Sequence, residues 1–261
     1  MEKTFFWYIQ YILKTYGHWF LRGAGVTMLI AVSGTLIGTL IGLLIGSVRT
    51  IPIDTKRTPP LQRAVLRAAN LVLSVYVEVF RGTPMIVQAM VIFYGLMEGL
   101  NIDLPPIPAG IFIVSINTGA YMAEIVRGGI SAIDKGQTEA AHAIGMSHWQ
   151  TMFHVILPQA IRNILPATGN EFVINIKDTS VLNVISVTEL FYMTKSVKGV
   201  IYRTYEPFLI VATIYFVLTF STTRILRLLE RRIDGPSSYT LATSSTMPES
   251  ILPGNDSAGK G

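Results

Sequence analysis

The chain contains no cysteine. Disulfides, thiolate metal sites and cysteine nucleophiles are therefore excluded, and cysteine usage says nothing about the redox compartment. Charge is the second scarcity. Only 14% of the 261 residues are Asp, Glu, Lys or Arg, against about 25% in an ordinary soluble domain. Half the residues are hydrophobic and the mean hydropathy is +0.48. Aromatic and β-branched residues are abundant and no Gly repeat exists, which excludes a disordered or collagen-like chain. Charge depletion combined with long apolar runs reads as an all-α integral membrane protein.

Five segments approach the roughly 20 apolar residues that a bilayer crossing needs. Val26 to Val48 carries no charge and places Gly at 34, 38, 42 and 46. Leu71 to Leu96 is interrupted by Glu78, Arg81 and Pro84. Ala109 to Val126, Ile164 to Tyr192 (with Lys177 and Asp178 inside) and Pro207 to Leu226 complete the set. The small-xxx-small glycine series is read as a close helix-packing surface.

The net charge of +5 is compatible with nucleic acid or with an anionic membrane face, and its distribution decides between them. Alternating the spans puts 13 basic residues on one side and 6 on the other, with Arg81 and Lys177 in the membrane. The richer side is cytoplasmic by the positive-inside rule, which predicts the N-terminus outside and the C-terminus inside. Residues 1–22 mix Trp7, Tyr8, Tyr16 and Trp19 with Lys3, Lys14 and His18, and read as an interfacial amphipathic segment. Residues 23–232 form the transmembrane domain. Residues 233–261, rich in Ser, Thr, Pro and Gly, are expected to be a disordered cytoplasmic tail.

The loop from Asp134 to Pro158 carries the most information. Thr138 to Ile144 is Ala-rich and helical in pattern, and Gly145 suits a helix C-terminus. Ser147 and Gln150 have the spacing of a capping box that starts a second helix. Pro158 restricts Leu157 and predicts a turn back toward the membrane. A DNA-reading helix-turn-helix fits poorly, because the second helix offers no base-reading cluster beyond His148 and Gln150. A helix that docks into a groove on a soluble partner fits better.

Glu139-Ala140-Ala141, three residues, Gly145, nine residues and then Val155-Ile156-Leu157-Pro158 resembles the signature loop of ABC importer permeases. Val155 stands where that family has Ile. Phe80 to Gln88, Gly119 to Gly129, Leu157 to Ala160, Gly169 to Phe172 and Lys177 to Ser180 are similar to the polar amino acid subfamily, over a stretch from about the first span to Arg232. The resemblance implies a permease subunit, itself neither ATPase nor other enzyme, that translocates a polar L-amino acid such as glutamine, glutamate, arginine, histidine or cystine. It implies a second permease copy or a sister permease, ATP-binding subunits docked on the loop, and an extracytoplasmic binding protein that delivers the substrate. ATP and Mg belong to the partner subunits, and no cofactor is expected in this chain. A bacterial cell membrane is the expected location.

Ionisable and amide side chains within the spans are costly and mark candidate pathways. Asn117, Tyr121 and Glu124 share one helix face, as do Arg81, Met85 and Gln88. Glu171 and Asp178 are seven apart, as are Asn170 and Lys177. Gln88, Asn117, Tyr121, Asn170, Lys177, Asp178 and Thr179 are the candidate pathway residues. Amides supply both donors and acceptors to a zwitterion, which favours Asn117 and Gln88. The alternative for Asn117 is a hydrogen bond to a neighbouring helix. Arg81 is expected to anchor the break at Gly82 and Pro84, and Glu124 to pair with Arg127. Lys177-Asp178 is expected to break its helix locally.

Two decoys carry no function. Gly254 to Lys260 matches the first positions of a phosphate-binding loop but lacks the preceding strand and the following Ser/Thr and helix. His142, His148 and His154 are spaced by six and share no helix face with a completing ligand, so no metal site is expected. A membrane-embedded enzyme using Glu124 or Asp178 finds no catalytic pairing. A secondary transporter finds no inverted repeat.

Overall fold

The computed structural model describes residues 4–51 and 59–234, and these are helical with short connections. The expected tail lies almost wholly outside the described residues. The order is α1 (Phe5–Arg49), α2 (Pro60–Gly82), α3 (Met85–Tyr94), α4 (Pro106–Ser131), α5 (Lys135–Ala143), α6 (His148–Thr151), α7 (Leu157–Asp178), α8 (Leu190–Ile201) and α9 (Tyr205–Asp234). Single π-helical segments follow α3 and α6, and a 3₁₀ turn follows α7.

The glycines of α1 build the central seam. Gly34, Gly38, Gly42 and Gly46 lie against Val114, Thr118, Met122 and Val126 of α4, and a Cβ on any of them would come within 3.0 Å of its partner. The four glycines are one turn apart, so they form a ridge-free stripe into which the α4 side chains settle. Partner numbers rise together, so α1 and α4 run parallel. The chain between them must therefore return across the layer, which α2 and α3 do.

That return is not one straight span. α2 and α3 meet at a bend of 114°. Pro84 has no N–H and disfavours helical geometry at Thr83, which adopts φ −121°, ψ 146°. The segment Leu71 to Leu96, read as a single crossing, is thus a broken pair. The segment Ile164 to Tyr192 is also not one span, and its break falls where Lys177-Asp178 was expected to put it. α7 stops at Asp178, a 3₁₀ turn covers Thr179–Ile185, Ser186 takes a left-handed φ of 62°, and α8 starts afresh. Glu189 caps α8 by accepting from Phe191 N at 2.7 Å and Tyr192 N at 2.6 Å. By length and composition, Phe5–Arg49, Pro106–Ser131 and Tyr205–Glu230 qualify as crossings among the described residues, and the bent pair adds a fourth if counted once. α7, carrying Arg162, Glu171, Lys177 and Asp178, is absent from that set.

The N-terminal segment runs straight into the first span: α1 is continuous from Phe5 through Gly23 for 45 residues. One strip of its first half is covered by protein: Ile12 and Phe20 are buried with Leu190 and Val197 of α8 and Ile210 and Val211 of α9, while Phe6, Leu13 and Leu21 are exposed. A second core joins Ile30 of α1, Ala89 of α3, Ile113 of α4 and Leu182 and Val187 after α7.

Candidate functional site: the docking loop and an acidic cavity

The loop after α4 forms the two short helices that its pattern predicts. Asp134 caps α5 by accepting from Gly136 N at 2.6 Å. At the other end Gly145 has φ +83°. Met146 N donates to Ala141 O and Gly145 N to His142 O, both at 3.0 Å, the paired bonds of a Schellman terminus. The next helix opens with the expected box: Gln150 N donates to Ser147 Oγ at 3.3 Å and Ser147 N to Gln150 Oε1 at 2.8 Å. Glu139, Ala140 and Gly145 are exposed while Ala141 is buried. Ile144, absent from the residues picked out in sequence, projects with 80% of its surface exposed.

Pro158 does not turn the chain. It sits in the first turn of α7, and Leu157 is helical at φ −61°, ψ −42°. The π-helical segment Met152–Ile156 absorbs the missing donor, and Gln159 Nε2 donates to Val155 O at 2.8 Å. Local widening of the helix replaces the expected break. Helices α6 and α7 therefore form one connected rod that leads from the loop into the body of the protein.

At the end of α4 nearest this loop, one carboxylate holds three helices together. Glu124 pairs with Arg49 of α1, with Arg127 at 2.8 Å and with Arg81 of α2 at 3.9 Å. The expected Glu124–Arg127 pair is present; Arg49 is the partner that sequence spacing had no means to supply. Arg81 also lies over the ring of Tyr121, 5.6 Å from its centroid.

Above this cluster is a cavity of about 320 Å³. The α2–α3 break contributes Thr83, Pro84 and Met85, α4 contributes Asn117 and Tyr121, and α7 contributes Glu171, Asn175 and Asp178. Glu171 and Asp178, two turns apart, present one face of α7. Neither makes an ion pair among the described residues. Asn175 fixes the wall by donating to Thr35 Oγ1 at 2.8 Å and Thr118 Oγ1 at 3.0 Å.

Of the candidate pathway residues, Asn117, Tyr121 and Asp178 meet at this cavity. Gln88 does not line it. Its Nε2 donates to Phe80 O, Thr83 O and Thr83 Oγ1 at 2.8–2.9 Å, and its Oε1 accepts from Asn117 Nδ2 at 2.9 Å. The two amides thus lock the proline break onto α4. Thr179 is buried and donates to Ile176 O at 2.9 Å. Asn170 and Lys177 are exposed, away from the cavity; each lies about 100° from its acidic neighbour around the helix. Glu171 and Asn175 are cavity residues that the choice of Asn170 and Lys177 passed over. The Glu171/Asp178 spacing was the signal that locates them. His142 and His154 are exposed, the latter with Nδ1 3.0 Å from Gln150 O.

A family profile described as binding-protein-dependent transport system inner membrane component matches residues 61–235. That match starts after α1. The chain is 43% identical over 166 residues to the glutamine transport system permease protein GlnP of Escherichia coli (strain K12), covering 63% of this chain and 76% of that protein. It is 40% identical over 173 residues to the L-cystine transport system permease protein TcyB of Bacillus subtilis (strain 168), covering 65% and 72%. A crystal structure of an amino acid ABC transporter with histidines superposes with TM-score 0.76 and 38% identity, over 89% of this chain and all of that one.

Proposed function

From the premise that this chain belongs to the family of binding-protein-dependent transport system inner membrane components, and is a permease component of a polar amino acid ABC importer, we propose how its parts divide the work. The cavity at the Pro84 break receives the amino acid. The exposed α5–α6 turn docks an ATP-binding subunit, with ATP and Mg held by that partner. An extracytoplasmic binding protein delivers the substrate at the opposite end, and a second permease, identical or sister, completes the pathway. The docking loop and the C-terminus are cytoplasmic and the N-terminus lies outside.

The observation that carries this reading is the pair of carboxylates, Glu171 and Asp178, facing the same cavity as Asn117 and Tyr121, with neither in a direct ion pair among the described residues; Arg81 and Lys177 act on them only from a distance. A half-buried carboxylate that is not held in a direct ion pair is costly. A ligand ammonium, or a cationic side chain, supplies that charge with charge-assisted hydrogen bonds. The connected α6–α7 rod joins the docking turn to the helix that bears both carboxylates, so movement of the turn is transmitted to the cavity wall.

The test is reconstitution. The complex purified through this chain should contain an ATP-binding subunit in fixed stoichiometry, and its ATP hydrolysis should rise with the loaded binding protein. Glu171→Gln should raise the substrate concentration for half-maximal uptake while the complex stays assembled. Assembly and full uptake without any ATP-binding subunit would overturn the importer reading in favour of an ion-driven transporter.

A further inference from the structure

A second site lies between the end of α1 and the docking loop. A cavity of about 530 Å³ is lined by Arg49, Arg127, Lys135, Thr138 and Thr151, among others. Three cations face it and, among the described residues, no carboxylate does. Glu124 offsets one of them through its pairs with Arg49 and Arg127, and the Asp134 side chain is taken up by the α5 cap. Lys135 is exposed and makes no ion pair among the described residues. Thr151 is 2% exposed, and its hydroxyl has no hydrogen-bond partner among the described residues. A buried hydroxyl left without a partner is costly, so a polar group is expected in this cavity.

The cavity does not end there. It shares Thr50, Ile130 and Met152 with an apolar groove of about 430 Å³. That groove runs along α1 past Leu43, Leu44 and Val48 and is closed on its other side by Phe153 and Leu157. Leu44 is 71% exposed and Phe153 58%. A basic pocket continuous with an apolar groove on a membrane helix matches a molecule with an anionic head and a hydrocarbon tail.

We propose that this composite site binds an anionic phospholipid from the leaflet on the docking-loop side, with the phosphate in the cavity lined by Arg49, Arg127, Lys135 and Thr151 and an acyl chain in the groove along α1. Free phosphate satisfies the cavity alone; the bilayer supplies the head and the tail together and at high local concentration. The lipid would brace the docking loop against α1. The site rests on the chain spanning a membrane, not on the transport role of the loop.

The experiment is native mass spectrometry of the full chain with its co-purifying subunits, titrated with phosphatidylglycerol and with phosphatidylcholine of the same chain length. Wild type should retain phosphatidylglycerol about five-fold or more in preference. Lys135→Gln, which touches no ion pair, should lose about five-fold of that preference, the effect of one cation near a lipid phosphate. Thr151→Val should weaken phosphatidylglycerol retention independently. Inorganic phosphate in excess should leave the lipid bound. Equal retention of both lipids by wild type would overturn the proposal, as would both variants keeping full preference. Displacement by inorganic phosphate would assign the cavity to a free anion and overturn the lipid. Uptake measured on the same preparation separates the two readings, since transport without lipid preference sinks this site alone.

Discussion

The α1–α4 seam and the α7 wall touch, at Asn175 on Thr35 and Thr118, yet they are built on opposite rules. The seam is two unbroken parallel helices zipped by four glycines one turn apart. The wall is assembled from interrupted helices: a 114° bend at Pro84, a π-helical turn before Pro158 and a 3₁₀ turn after Asp178. The seam buries small apolar contacts, whereas the wall collects Asn117, Glu171, Asn175 and Asp178. Close backbone approach makes a unit that resists deformation. Broken helices expose backbone and polar groups at membrane depth, which is tolerated where they line a cavity. The difference separates a frame from a working surface.

Substitutions that respect or violate this division should differ in kind. The largest effect on the fold as a whole is expected in the seam. Gly42→Ala places a Cβ against Met122, including its backbone, and overpacking costs roughly 1–3 kcal/mol. Gly25→Ala, on the same helix with nothing within 4 Å, should be neutral or slightly stabilising. Thermal unfolding of the two variants in detergent gives the contrast; equal melting temperatures would erase the frame.

Next in size is the wall itself. Glu171→Gln removes a charge from the cavity without changing its shape. A hydrogen bond to a charged group contributes about 1.5–3 kcal/mol, so half-saturation for uptake should shift roughly ten- to a hundred-fold, with melting little changed. Asn117→Leu should behave differently from Glu171→Gln. It leaves the Gln88 carbonyl oxygen buried without its partner, so thermal stability should fall by about 1–3 kcal/mol. A stable Asn117→Leu protein with altered uptake alone would move Asn117 from lock to ligand contact. The most local effect belongs to Gly145→Ala, where φ +83° costs an L-residue roughly 1–2 kcal/mol, confined to the turn. Its readout is ATP hydrolysed per substrate imported, which should rise while assembly persists.

These contrasts also show which parts of the molecule were legible in its sequence. The docking loop was readable almost residue by residue, because the Schellman glycine and the capping box are local devices whose partners lie within a few positions. The glycine stripe was readable as a packing surface, but not its partner, since α4 lies 80 positions away in register. Pro158 misled because proline signals a missing donor and not where the chain puts the strain; here a π-helical turn takes it up. The N-terminal segment was readable as an amphipathic helix, but amphipathicity does not say which apolar side chains protein covers, here Ile12 and Phe20. In the cavity, the seven-residue spacing of Glu171 and Asp178 identified the correct face. The equally spaced Asn170 and Lys177 lie about 100° away, and no local signal ranks one face above the other without the position of α4.

The absence of cysteine permits a direct test of the cavity. Met85→Cys would carry the sole thiol in the chain, on the cavity wall beside the Pro84 break. Leu44→Cys would place it on the outer surface of the seam. The rate of modification by a small thiol reagent is measured in the reconstituted complex with and without the transported amino acid. Slowing of at least several-fold at Met85→Cys, with no change at Leu44→Cys, is the predicted result. Identical rates at Met85→Cys with and without saturating substrate, in a complex that still imports it, would contradict the cavity as the place where substrate is held.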